Sequence, residues 1–236
     1  VAADSAQAIG RPSTRRRVFG REREARAVAA FSHPNVTAVY DTGEANGWPY
    51  LVFELVPGGS LADRLKKDGA LPWPEVARLG VSIARGIAAV HDAGLVHRDL
   101  KPATIFLDAQ GRPKLGDFGL VRSAQQGLSN SGLTQEGSIL GTYEYLAPEM
   151  ADERGKTDHR VDLYSLGATL YALLTGRPPF EGQGYALIAK HLTERPLPPS
   201  SIVPGIPREM DRIVLKLLEK APRARGNSAK EAMEAL

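Results

Sequence analysis

Cysteine is absent from the 236 residues. Disulfides, thiolate nucleophiles and cysteine-ligated metals are therefore excluded, and the fold must stand on its core alone, as suits a reducing cytoplasm. Long apolar runs are also missing. None approaches the roughly 18 residues of a membrane span, so no membrane contact is expected within this stretch, and an anchor outside it stays open. Excess charge of one sign is slight, at +3, too little to argue for nucleic acid. Arg15, Arg16 and Arg17 read as the solvated start of a helix. The five histidines show no zinc-type spacing. No signal peptide or initiating methionine stands before Val1, so the chain reads as a piece of a longer cytoplasmic protein. Nothing in it speaks to oligomeric state.

Hydrophobic residues make up 42% and charged residues 24%, a composition ordinary for a soluble globular protein. The length allows one large domain or two small lobes with a shared core. "EARAVAAF", from Glu24 to Phe31, has helical spacing and ends before Pro34. "NVTAVYDTG" and "WPYLVFELV" predict two strands joined by a glycine-bearing turn. "VPGGSL" reads as a flexible link, broken by Gly58 and Gly59.

Beyond this link the pattern is helical. Val76, Leu79, Ile83, Ile87 and Val90 form one stripe that starts on Pro74 and stops at Gly94. "TIFLD" and "RPKLGD" predict a small hairpin. "VDLYSLGATLYALLTG" is apolar on nearly every face, the mark of a helix buried all round. Met210, Ile213, Val214, Leu217 and Leu218 make a further stripe, and "SAKEAMEAL" closes the chain. "RSAQQGLSNSGLTQEGS" is a polar loop of a length that is usually functional or disordered. Few strands, a glycine link and then many helices predict an α+β fold of two unequal lobes. A small strand-bearing lobe would cover residues 1–56 and a helical lobe residues 57–236, with a ligand cleft between them.

Two carboxylates stand at the ends of the predicted hairpin, Asp99 and Asp117. One could act as a base while the other holds a cation, the division of labour that phosphoryl transfer needs. Two turn-capping aspartates would look the same in isolation. The surrounding residues decide between these readings. "HRDLKP", "GDFGL", "GTYEYLAPE" and "DLYSLG" occur in this order, and together they resemble the eukaryotic-type Ser/Thr protein kinase family in its bacterial form.

The resemblance implies ATP and Mg2+ as cofactors and a protein substrate. Asp99 resembles the base that orients the substrate hydroxyl, and Lys101 the lysine that neutralises the transferring phosphate. Asp117 resembles the magnesium ligand, with Phe118 packed behind it. Thr104 stands where the family's metal-binding asparagine is expected, and its hydroxyl is expected to ligate magnesium in part. Glu24 resembles the helix glutamate that pairs with a strand lysine. Glu54 and Val56 resemble the hinge positions that read adenine, Phe53 guards that pocket and Phe106 resembles its floor. Glu149 and Arg225 match a buried, structural ion pair. "GTYEYLAPE" resembles a docking ledge for a protein substrate, which small-molecule kinases of related fold lack. Thr134 and Ser138 are candidate phosphorylation sites whose phosphate would pair with Arg98.

Three departures stand against the pattern. No G-x-G-x-x-G occurs. Counting back from Glu24 to the expected strand lysine reaches Asp4, and the first lysine in the chain is Lys66. Exchanging a cation for an anion there would reverse a contact of about 4 kcal/mol. The third departure is Thr104. Two readings stay open: a Ser/Thr kinase domain, or a pseudokinase that keeps the fold as a binding or scaffolding module.

Overall fold

A computed structural model describes residues 32–45, 48–116, 143–151 and 157–236. Strands β1 (Val39–Ala45) and β2 (Trp48–Phe53) pair antiparallel, with Val39 opposite Phe53. This hairpin stands on the short pair β3 (Ile105–Leu107) and β4 (Pro113–Leu115). Thr37 N–H donates to the Leu115 carbonyl at 2.8 Å, and Leu115 N–H donates to the Asn35 carbonyl at 2.9 Å. On the other side Gly58 N–H donates to the Leu107 carbonyl at 2.9 Å, and Leu107 N–H to the Gly59 carbonyl at 2.8 Å.

The glycine half of the "VPGGSL" link is therefore fastened where the sequence suggested looseness. A Cβ on Gly58 would lie 2.5 Å from the Leu107 carbonyl oxygen. Glycine is needed there for the close approach of two backbones, beyond any freedom it lends. Ser60 then caps helix α1 (Leu61–Asp68). Its hydroxyl accepts from Asp63 N–H, and its own N–H donates to the Asp63 carboxylate, a reciprocal box that satisfies donors orphaned at the helix start.

Helix α2 (Trp73–Asp92) buries the whole predicted stripe, and Gly94 follows in the left-handed region. Helix α3 (Arg160–Thr175) is buried continuously from Val161 to Leu174, as its unbroken apolar sequence predicts. It packs on α2 and on α5 (Arg208–Leu217). The fit against α5 is tight, since a Cβ on Gly167 would lie 2.7 Å from Leu217 Cβ. Ile213 of the α5 stripe is only half-buried. Helix α6 (Ala229–Ala235) lies against α2.

Two helices escape the sequence reading. Helix α1 buries only Leu61 fully, and α4 (Gly184–Thr193) leaves Tyr185 and Leu192 exposed. Neither carries a clear apolar stripe. The expected helix around Glu24 and the long polar loop lie outside the described residues.

Candidate active site

The loop from His97 to Thr104 sits between α2 and β3. Its conformation is not one the chain adopts freely, because Arg98 has φ of 64°. A left-handed conformation costs a non-glycine residue roughly 1–2 kcal/mol. The compensation comes from Asp162 in the first turn of α3, a fully buried carboxylate. One of its oxygens accepts from Arg98 N–H at 2.8 Å. The other accepts from His97 N–H and lies against His91 Nε2, both at 2.8 Å. Burial pushes the Asp162 carboxyl up, but His91, His97 and the Arg98 N–H outweigh it and hold the pKa below the ordinary value. The sequence reading assigned no role to this residue. Its signal was a lone acid in a helix otherwise apolar nearly all round.

Asp99 and Lys101, the expected catalytic pair, come together. Lys101 Nζ lies 3.1 and 3.2 Å from the two oxygens of the Asp99 carboxylate. The ammonium thus sits beside the expected base.

Thr104 lies beneath them and is 4% exposed. Its hydroxyl is directed to the Asp99 carbonyl at 2.8 Å and the Lys101 carbonyl at 3.1 Å, and accepts from Lys101 N–H at 3.2 Å. This hydroxyl is the group expected to ligate magnesium in part. A hydroxyl has one proton and two lone pairs, and the proton and one lone pair are already engaged in the loop.

The expected hinge residues gather around the foot of β2. Glu54 N–H donates to the Ala38 carbonyl at 2.8 Å. The Glu54 carboxylate pairs with Lys114 Nζ at 2.8 Å and accepts from Ala38 N–H at 3.2 Å. Burial pushes this carboxyl up, yet the Lys114 ammonium and the Ala38 N–H together hold it below its usual range. Lys114 is the cross-strand partner of Phe106. Phe106 also bridges to Ser60, so the residue expected as the floor lies beside the 54–60 segment. Phe53 is half-buried and packs on the core. Val56 is half-buried, and no backbone hydrogen bond engages Leu55, Val56 or Pro57 among the described residues.

The Glu149–Arg225 pair is present. Arg225 is 2% exposed and binds both carboxylate oxygens, at 2.5 and 2.7 Å. It also donates to the carbonyls of Glu219, Arg160 and Lys220. All five of its N–H donors are therefore used. Asp4, Glu24, Asp117, Phe118, Thr134 and Ser138 lie outside the described residues. Among those described, no cluster of three or more His, Asp or Glu could hold a metal, and no helix is long and apolar enough to cross a membrane.

The architecture is the protein kinase fold, with few short strands and a larger helical part. The chain matches the protein kinase domain family over residues 13–235, and it belongs to that family. Asp4 falls before the matched stretch. The chain is similar to the serine/threonine-protein kinase PknB of Mycobacterium leprae, with 41% identity over 215 residues, covering 89% of this chain and 34% of that protein. A probable serine/threonine-protein kinase of Streptomyces coelicolor, SCO3848, is 42% identical over 214 residues, covering 89% and 31%. Another from Clostridium perfringens, CPE1738, is 37% identical over 211 residues, covering 89% and 30%. The chain thus spans about a third of the length of these relatives.

Proposed function

We propose that this chain is the catalytic domain of a serine/threonine protein kinase, moving the γ-phosphoryl group of ATP to a protein hydroxyl. The observation that carries this reading is the Asp99–Lys101 pair on a loop held rigid by Asp162. A substrate hydroxyl oxygen forms the new bond to the γ-phosphorus while the bond to the β,γ-bridging oxygen breaks and ADP leaves. Asp99 receives the hydroxyl proton, and Lys101 faces the negative charge on the transferring group. The Val56 backbone N–H, unbonded among the described residues, would meet the adenine edge, with Glu54 and Phe53 alongside and Phe106 beneath. Asp117 would hold Mg2+, which when bound neutralises phosphate charge, and Glu24 would be the helix glutamate of the nucleotide site. A cytoplasmic location would supply the ATP this reading needs, and an absence of cysteine suits that compartment.

The test is transfer of labelled phosphate to a serine- or threonine-bearing protein by the full-length protein. Asp99→Asn is expected to lower turnover by about two to four decades while the melting temperature holds. Nucleotide binding with no Asp99-dependent transfer would instead favour a binding module that keeps the fold.

A further inference from the structure

We infer that Thr104 fastens the catalytic loop and is not a metal ligand, so that one of the two cations of phosphoryl transfer finds no protein side chain at this position. The inference rests on the kinase reading above. Protein kinases hold two Mg2+ ions through the aspartate of D-F-G and the asparagine of the catalytic loop. An asparagine carboxamide carries its donor and its acceptor on separate atoms. It can donate into the loop and offer an oxygen outward at the same time. Threonine has a single polar atom for both tasks.

Here the proton and one lone pair of that atom are committed inward, and Thr104 is only 4% exposed. The Asp99 carbonyl, the nearer acceptor at 2.8 Å, takes the hydroxyl proton, and Lys101 N–H donates to the oxygen at 3.2 Å. Turning the oxygen outward would strip both partners inside a buried side chain, which buried polar groups resist. The backbone is held as well. Thr104 N–H donates to the Lys101 carbonyl at 3.0 Å, and Gly116 N–H donates to the Thr104 carbonyl at 2.9 Å. Gly116 immediately precedes Asp117, so the same residue ties the Asp99 loop to the strand that leads to the expected metal ligand. Thr104 is a positioning residue: it acts on Asp99 through that residue's own carbonyl.

Two measurements on the full-length protein test this. Manganese titration followed by electron paramagnetic resonance, with a non-hydrolysable ATP analogue present, should find one tightly bound ion per nucleotide. Thr104→Asn should tighten a second ion at least about tenfold, the carboxamide supplying the missing oxygen. Two equally tight ions in the native protein, unchanged in Thr104→Asn, would overturn the inference. The loop is read separately, without nucleotide, by amide exchange at Lys101. Thr104→Val should speed that exchange about tenfold or more and, where transfer is measured, lower kcat with KM for ATP nearly unchanged. Thr104→Ser should restore both. Native exchange at Lys101 in Thr104→Val would sink the fastening role. Absence of nucleotide binding under every cation would count against the kinase reading itself, and the Lys101 exchange would still decide whether Thr104 fastens the loop.

Discussion

Replacing Asp162 by asparagine keeps the size of the side chain and removes its ability to accept at both ends. The native carboxylate takes three contacts at 2.8 Å, from Arg98 N–H, His97 N–H and His91 Nε2. The best rotamer of the amide keeps its oxygen toward His97 and His91. Its NH2 group then faces Arg98 N–H, donor against donor. The lost bond to a charged acceptor is worth about 1.5–3 kcal/mol, and the unsatisfied buried donors add about 1–3 kcal/mol. A total of about 3–5 kcal/mol agrees with what breaking a buried charge contact costs. For a domain of this size that is a fall of roughly 10 °C or more in Tm. Calorimetry or thermal denaturation checks the number. The activity arm is sharper. Below the melting range, kcat should fall at least about tenfold, because Arg98 immediately precedes Asp99 and relaxes from its left-handed conformation. KM for ATP should change little, since Val56 lies on a different segment. Asp162 also has a lowered native pKa. The stability it supplies is present above the unfolded value near 3.8 and is lost as pH falls below it, a loss the asparagine variant would lack. A destabilisation under about 1 kcal/mol with unchanged kcat would refute the anchoring role.

His191 is 1% exposed, with Tyr164 hydroxyl 2.8 Å from Nδ1, the Phe180 ring edge-on and no partner at Nε2 among the described residues. Burial, helped by the Lys220 ammonium, pushes its pKa down to about 4. The unfolded chain therefore binds the proton first, and stability should decline as pH falls from about 6.5 toward 4. The loss is on the order of 3 kcal/mol, and it should shrink in His191→Gln when denaturant midpoints are compared across that range. Gly116 offers a steric test of Phe106 as the proposed nucleotide floor. A Cβ there would lie 2.6 Å from Phe106 Cε2, so Gly116→Ala should displace the ring and weaken ATP binding about three- to tenfold by calorimetry. Gly116→Ala with Phe106→Leu should recover most of that loss, and an unaffected single variant would refute the contact.

What the sequence made legible depends on how local each signal is. The helices α2 and α3 were readable because a stripe, or its conspicuous absence, is written within one segment. The roles expected of Asp99 and Lys101, like the Glu149–Arg225 pair, were readable only through the family resemblance that four motifs carry together. Contacts that span the chain left no such trace. Glu54 and Lys114 are 60 residues apart, and either alone looks like a solvated surface charge. The two glycines at 58 and 59 signalled freedom, while the folded backbone uses the first for crowding against Leu107. Thr104 shows the same gap at shorter range. Its identity was plain, but the direction of its hydroxyl follows from carbonyls whose positions only the folded loop defines.

The β1–β2 hairpin is attached to the rest of the chain by two legs of unequal slack. On the Thr37 side, backbone bonds to β4 end two residues before β1 begins. On the other side, Leu55, Val56 and Pro57 carry no backbone hydrogen bond among the described residues between the Glu54 and Gly58 attachments, a tether of at most about 10 Å. Legs so mismatched would resist sliding more than tilting, with the short leg as the fulcrum and the three-residue tether as the part that bends. Any rocking of the hairpin is therefore felt first at Val56. A base gripping that N–H would act as a wedge in a hinge, trading the mobility of three residues for a fixed angle between hairpin and helices.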